Sequence, residues 1–294
     1  MATESIQNGF GVLSLASPDG AVRADVVPEL GGIVSSLRVA GGRECLFRHD
    51  VFWDPATPET RGGIPLLFPI CGRLRKDGTP GRYHVGDRPY VLPIHGFAMR
   101  RPWTVADASR SDAVRLRLAD SAETRAIYPF AFELELAYSV SAAGLTCRLS
   151  VRNAGDVPMP YSAGFHPYFL AASAVFEAHP RARHLYNEDK TDVVGSAPPP
   201  PFPMSAADEQ VNGLLLEMGA DNETKIRLPD GFEIRQTASS LFRFRQFYAL
   251  PGQPFFCDEP WMAPPGALNR PGAARVLAPG QDESAEIRIA AAQT

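Results

Sequence analysis

Two residues that can carry protons stand directly before proline in apolar surroundings. They are His166, in Tyr161-Ser-Ala-Gly-Phe-His-Pro-Tyr-Phe169, and Glu259, in Phe255-Phe-Cys-Asp-Glu-Pro-Trp261. A following proline ring clashes with helical backbone, so both residues are expected to be extended, on strands or strand-like turns. Side chains alternate along such a segment, which sends Phe165 and Pro167 to the face opposite His166. A histidine and a carboxylate presented from two strands are the parts of a general acid–base pair, and either alone would mean little. Arg73, following Gly72, and His95, between an apolar run and Gly96, are two further candidates. On its own, Arg73 reads either as a solvated arginine or as a side chain turned into a cleft. His95 reads either as a structural histidine or as a rim group.

The elements that must hold these residues read as short strands. Phe10–Leu15, Ala21–Val27 and Ile33–Val39 form an antiparallel meander punctuated by glycine pairs. Residues 48–64 read as a long loop leading into Gly62-Gly-Ile-Pro-Leu-Leu-Phe-Pro-Ile-Cys-Gly72, whose prolines make it an edge or rim segment, not a central strand. The clearest alternation is Phe132–Val140, which puts Phe132, Leu134, Leu136 and Tyr138 on one face and Glu133 and Glu135 on a wet one. Leu145–Arg152 repeats it. Residues 171–213 look less regular, and the proline-rich 196–203 stretch reads as a surface loop or lid. Strands resume at Leu214–Leu216, Lys225–Leu228, Phe232–Arg235 and Leu241–Tyr248, the last with Arg243 and Arg245 on a shared, solvated face, and a terminal strand covers Ser284–Ile289.

Composition agrees. The 28 prolines and 25 glycines among 294 residues are scattered, which favours many turns, little helix and one all-β domain spanning 1–294. A formal charge of −4 lacks the basic face that a general nucleic-acid binder needs, so a small-molecule partner fits better. Cys45, Cys71, Cys147 and Cys257 are widely spaced without a CxxC pair, which indicates neither a zinc ribbon nor a disulfide framework. The first residues hold no basic–apolar leader and no apolar run is long enough to span a bilayer, so a soluble, cytoplasmic protein with no membrane partner is expected.

Taken together, Val27-Pro-Glu-Leu-Gly-Gly32, Gly63-Ile-Pro-Leu-Leu-Phe-Pro69 with Gly72-Arg73, Leu92-Pro-Ile-His-Gly-Phe-Ala98, Gly164-Phe-His-Pro-Tyr-Phe169, Glu259-Pro-Trp261 and Leu277-Ala-Pro-Gly280 resemble the aldose 1-epimerase, or mutarotase, family. The motifs run in the family's order across nearly the whole chain. The resemblance implies a galactose-mutarotase-like β-supersandwich that interconverts the α and β anomers of an aldohexose without metal or cofactor. It implies that Glu259 takes the proton of the C1 hydroxyl and His166 protonates the ring oxygen, with roles reversed on re-closure, while His95 and Arg73 hydrogen-bond the sugar. Trp261, Phe165 and Tyr168 could offer apolar faces to it. Family members also use an acidic residue between the second histidine and the base. No motif marks it here, and Asp189 and Asp192 are candidates. Relatives acting on hexose 6-phosphates often carry arginine straight after His-Gly-Phe-Ala. Here Met99 stands there, with Arg100 and Arg101 displaced, which favours an unphosphorylated sugar, although Arg73, Arg75, Lys76, Arg243 and Arg245 could build another phosphate clamp. The competing readings are a hexose-6-phosphate 1-epimerase, a non-catalytic carbohydrate-binding protein on the same fold, and a metal hydrolase using His49, His84, His95 and His166, whose spacing matches no standard ligand motif.

Overall fold

A computed structural model describes residues 1–39, 41–54 and 62–293. Residues 55–61 of the expected 48–64 loop lie outside the described residues. The chain is almost all β. The single described α-helix, Ala122–Ile127, is one short stretch capped by Ser121, whose hydroxyl accepts from the Thr124 amide.

The alternation at Phe132 becomes an interior strand of a nine-stranded antiparallel sheet. Phe132–Ser141 pairs with Gly144–Asn153 in a long hairpin that sets Leu134 opposite Val151, Leu136 opposite Leu149 and Tyr138 opposite Cys147. That face is buried throughout, whereas Glu133 and Glu135 lie outside and pair with Arg152 and Arg117. Asp282–Gln293 joins this hairpin to Phe232–Ala238 and Glu223–Arg227, so the last strand of the chain sits at the centre of the sheet. The N-terminal meander forms its own five-stranded sheet, Thr3–Gln7 to Arg43–Glu44.

An eight-stranded sheet carries Glu259 and flanks His166. Its path runs Val193–Ala197, Pro180–Tyr186, Leu214–Met218, Phe244–Tyr248, Phe256–Trp261, Gly164–Phe165 and Leu66–Leu67, with Tyr168–Phe169 also pairing onto Phe256–Trp261. The proline-broken run before Cys71 is thus an edge strand, as its missing donors required. The two large sheets pack through aromatic side chains. Phe176 of the nine-stranded sheet lies with ring centroids 4.8 Å from both Phe247 and Phe256 of the other, and Phe132 lies 5.2 Å from Phe68. Each such buried ring contributes about 1.5–3 kcal/mol relative to exposure.

Three expectations need correction. Residues 171–213 are more regular than their composition suggests, with strands at Val175–Ala178, Pro180–Tyr186 and Val193–Ala197. Val193–Ala197 is a sheet-edge strand and Pro180–Tyr186 lies next to it, both without a buried residue, so no apolar alternation marks them, while Val175–Ala178 is too short for its alternation to stand out. Of the two readings of the 196–203 stretch, the surface loop holds and the lid does not: its residues are exposed or half-buried, none lines the cleft around Glu259, and Phe202 packs edge-on against Phe176. Arg243 and Arg245 do not share a solvated face: the strand begins only at Phe244, Arg243 reaches Glu217 from the turn before it, and Arg245 is wholly buried. All four cysteines are free and buried, in keeping with their sequence context. Among the described residues no helix is long and apolar enough to cross a membrane.

Candidate active site

The strand Phe256–Trp261 is the spine of the site. Alternation turns Cys257, Glu259 and Trp261 to one face and Phe256, Asp258 and Pro260 to the inter-sheet core. On one flank Gln246 stands directly opposite Glu259, and on the other Gly164 pairs with Trp261 and Tyr168 with Cys257. His166 falls between the two short strands that pair with this one, its amide donating to the Pro65 carbonyl at 3.0 Å. The pre-proline restriction therefore does what its sequence position promised, holding the chain extended across the spine so that the ring meets the carboxylate. His166 Nε2 lies 3.2 Å from Glu259 Oε1.

His95 arrives differently. It sits in the left-handed region with φ +62°, a conformation that costs a non-glycine residue energy and that clusters at functional sites. Gly72 and His95 hold each other: the His95 amide donates to the Gly72 carbonyl at 2.9 Å, and the Gly72 amide donates to His95 Nδ1 at 3.1 Å. Because Nδ1 is an acceptor, the neutral ring carries its proton on Nε2 and offers a donor. One ring nitrogen of each histidine and a Glu259 oxygen lie within 4.8 Å of one another, a grouping that could in principle hold a metal ion. The tautomer argues against that use, since the remaining His95 nitrogen is protonated. The wider set of histidines is not assembled: His49 Nδ1 accepts from the Val51 amide and His84 lies beside Asp77.

Burial governs the electrostatics. Glu259 is 2% exposed, and its carboxyl is pushed well above the usual range by loss of solvent, opposed by the Trp261 indole, which donates to Oε2 at 3.1 Å, and reinforced by the Asp258 charge. His166, 6% exposed and stacked on Tyr168 at 4.5 Å, is pulled down to about 3 by burial, and its Nδ1 has no hydrogen-bond partner among the described residues. His95 is held well below its ordinary value by burial and then by His166, Arg100 and Arg73. Both shifts favour the neutral forms, a protonated Glu259 carboxyl beside an unprotonated His166.

These groups line a cleft of about 380 Å³ together with the buried Trp261, Tyr168 and Met99, and the exposed Arg73 with the half-buried Arg100 and Lys190 marks its mouth. Trp261 and Tyr168 face it as expected, but Phe165 lies in the core against Phe242. Asp189 and Asp192 are bound to Arg75 and Arg270 and do not line this cleft. Of the possible clamp residues only Arg73 lines it. Lys190, Asn212 and Tyr248 also line it and escaped the sequence reading, as did Tyr186 and Gln246, whose side chains hydrogen-bond to each other. Gln246 was legible, sharing a face with Phe244, whereas Tyr186 rides on a strand that periodicity did not reveal.

The sequence profile of the aldose 1-epimerase family matches residues 15–188. The chain belongs to the aldose 1-epimerase family. It is 31% identical over 145 residues to the LacX protein of Lactococcus lactis, covering 48% of this chain and 45% of that one. It is 29% identical over 155 residues to a "putative glucose-6-phosphate 1-epimerase" of Cenchrus ciliaris, covering 48% and 42%. The matched regions thus span about half the length of these curated relatives. A solved galactose mutarotase-like protein from Lactobacillus casei superposes with a TM-score of 0.82 at 19% identity, covering 96% of this chain and all of that one. The galactose-mutarotase-like fold of the family holds over nearly the entire chain.

Proposed function

We propose that this epimerase family member interconverts the α and β anomers of an aldohexose by general acid–base ring opening and re-closure. The observation that carries the reading is the His166–Glu259 contact at 3.2 Å, buried at the base of a sugar-sized cleft. A hemiacetal opens only when one proton leaves the C1 hydroxyl while another reaches the ring oxygen. Both oxygens are bonded to the same carbon, so the two proton carriers must be neighbours. Glu259 takes the hydroxyl proton and His166 delivers one to the ring oxygen. The free aldehyde turns about its C1–C2 bond, and re-closure runs through the same groups with roles reversed. Each group supplies about 10²–10⁴-fold. The working form, carboxylate beside imidazolium, contains the same single proton as the resting neutral pair, and a bound sugar hydroxyl donating to the carboxylate favours it. His95 Nε2–H donates to the sugar, and Arg73 holds a hydroxyl from the mouth. Trp261 and Tyr168 cover its C–H faces.

The free sugar is the first reading. A second is favoured by a specific observation: Arg73, Arg100 and Lys190 line the cleft, and among the described residues Glu259 is the single carboxylate that does. Arg100, although displaced by one residue from the family's phosphate-associated position and donating through Nη1 to the Ile94 and Gly96 carbonyls, still lines the site, which supports a hexose 6-phosphate. Polarimetry of freshly dissolved α-glucose, α-galactose and their 6-phosphates tests both. Acceleration over buffer is expected for at least one sugar. Tight sugar binding without acceleration would leave a carbohydrate-binding protein instead.

A further inference from the structure

Directly behind Glu259, on the hidden face of the same strand, lies a pair of opposite charges that the proton-transfer chemistry does not touch. Asp258 and Arg245 are both 0% exposed, and Arg245 Nη1 donates to Asp258 Oδ2 at 2.6 Å. An ion pair taken wholly out of water seldom stabilises a fold more than apolar residues of similar size would, so its presence calls for a role other than stability. Its connections suggest one. The Arg245 guanidinium also donates to the Asn222 side chain at 3.0 Å, the Asn222 carbonyl at 2.8 Å and the Gln236 carbonyl at 3.0 Å. Gln236 Nε2 in turn donates to the Asp258 main-chain carbonyl at 2.9 Å. Gln236 belongs to the nine-stranded sheet, so this network rivets the strand bearing Glu259 to the opposite sheet. Arg245 itself is one step from Gln246, which faces Glu259 across the ladder. Apolar packing tolerates small slides, whereas five directed hydrogen bonds do not.

We infer that Arg245 and Asp258 are positioning residues, an inter-sheet anchor that fixes the height and aim of Glu259 toward the anomeric hydroxyl. The inference rests on the reading of Glu259 as the base. Misplacement of a proton acceptor by an ångström can cost about 10²-fold, which gives the anchor its purpose. The Asp258 charge also adds to the proton affinity of Glu259. The other groups facing that carboxyl are His166 and His95, Cys71 from the edge segment, Tyr186, and Cys257 and Trp261 of its own strand, with Arg73, Arg100 and Lys190 at the mouth.

The test compares wild type with Asp258→Asn and with the double variant Arg245→Met/Asp258→Leu, which removes both charges and leaves neither partner stranded. For the double variant, melting within a few degrees of wild type, KM for the sugar within about twofold and kcat lowered at least about tenfold are expected. In the sugar-free protein, the ¹³C signal of the Glu259 carboxyl should titrate at lower pH in Asp258→Asn. Asn222→Ala, which loosens the guanidinium from outside the pair, should lower kcat in the same sense by a smaller factor. Wild-type kcat in a folded double variant together with an unmoved Glu259 titration would overturn the inference. If wild type itself fails to anomerise any sugar, the reading of Glu259 as base falls. The carboxyl titration then still decides whether Asp258 acts on it.

Discussion

At the scale of single residues, the site is a pair of groups whose protonation states are set by burial. His166 is pulled down to about 3 and Glu259 pushed up, so burial favours the neutral form of each in the free protein. The pH profile of kcat/KM should accordingly be a broad plateau. Its acid limb should lie well below 6.5, where His166 would gain the second proton, and its alkaline limb well above the ordinary carboxylate range, where Glu259 loses the last one. An acid limb near 6.5 would contradict this assignment. Glu259→Gln and His166→Gln should each lower turnover at least about a hundredfold. They should affect stability in opposite pH regimes. Glu259 binds its proton more tightly folded than unfolded, so its contribution is present below the unfolded value and lost as pH rises. Glu259→Gln is therefore expected to melt higher than wild type at pH 8, with the difference closing toward pH 5, as calorimetry at the two values would read. His166, depressed in the folded state, contributes above 6.5 and loses that contribution as pH falls toward about 3.

At the scale of elements, short strands crossing one spine create the geometry, and close approach is what they require. Gly164 lies where an added Cβ would meet the Pro260 carbonyl oxygen at 2.7 Å, Trp261 Cδ1 at 2.8 Å and Cys71 Sγ at 3.0 Å. No flexible side-chain end is available to yield, so Gly164→Ala must push the His166 segment off the spine. A loss of about 1–3 kcal/mol in denaturant unfolding is expected, together with a fall in kcat. Wild-type values for both would show that the two strands slide independently of the site. Gly96 is similarly constrained: φ is +73°, and a Cβ would lie 2.1 Å from the Phe68 carbonyl oxygen, so only glycine lets the chain after His95 pass this close to Phe68.

At the scale of the whole molecule, one contiguous apolar cluster runs from Ala2 to Ile289 and contains side chains of all three larger sheets. A single domain over residues 1–294 should then unfold in one cooperative transition, with calorimetric and van't Hoff enthalpies equal. Two resolved transitions would divide it. The charge distribution yields a further expectation. The chain carries −4 overall, yet the cleft mouth is cationic, so a 6-phosphorylated substrate would be drawn there against the protein's net field. If the phosphorylated reading holds, Arg73→Gln should raise KM for the 6-phosphate severalfold while leaving the free sugar nearly unaffected. An equal change for both would place Arg73 on a hydroxyl instead.

The sequence by itself determined what each segment could be. Alternation marked the Phe132–Ser141 hairpin, prolines marked the Leu66–Leu67 edge, and pre-proline positions marked His166 and Glu259 as extended. Those are local rules, enforced by sterics within a few residues, and the ordered motifs identified the family without any contact being known. Tertiary structure decided which segments meet. Tyr186 and Gln246 became partners in the cleft only because Leu214–Met218 and Phe244–Tyr248 bring their strands into one sheet. Arg245, which local alternation placed in water, lies at the centre of the protein because Asp258 and the carbonyls of Asn222 and Gln236 replace its solvent there. No local rule could supply that, since the cost of burying a charge is set by partners that are distant along the chain. The opposed shifts of His166 and Glu259 likewise come from the water excluded around them, which is not written in the residues alone.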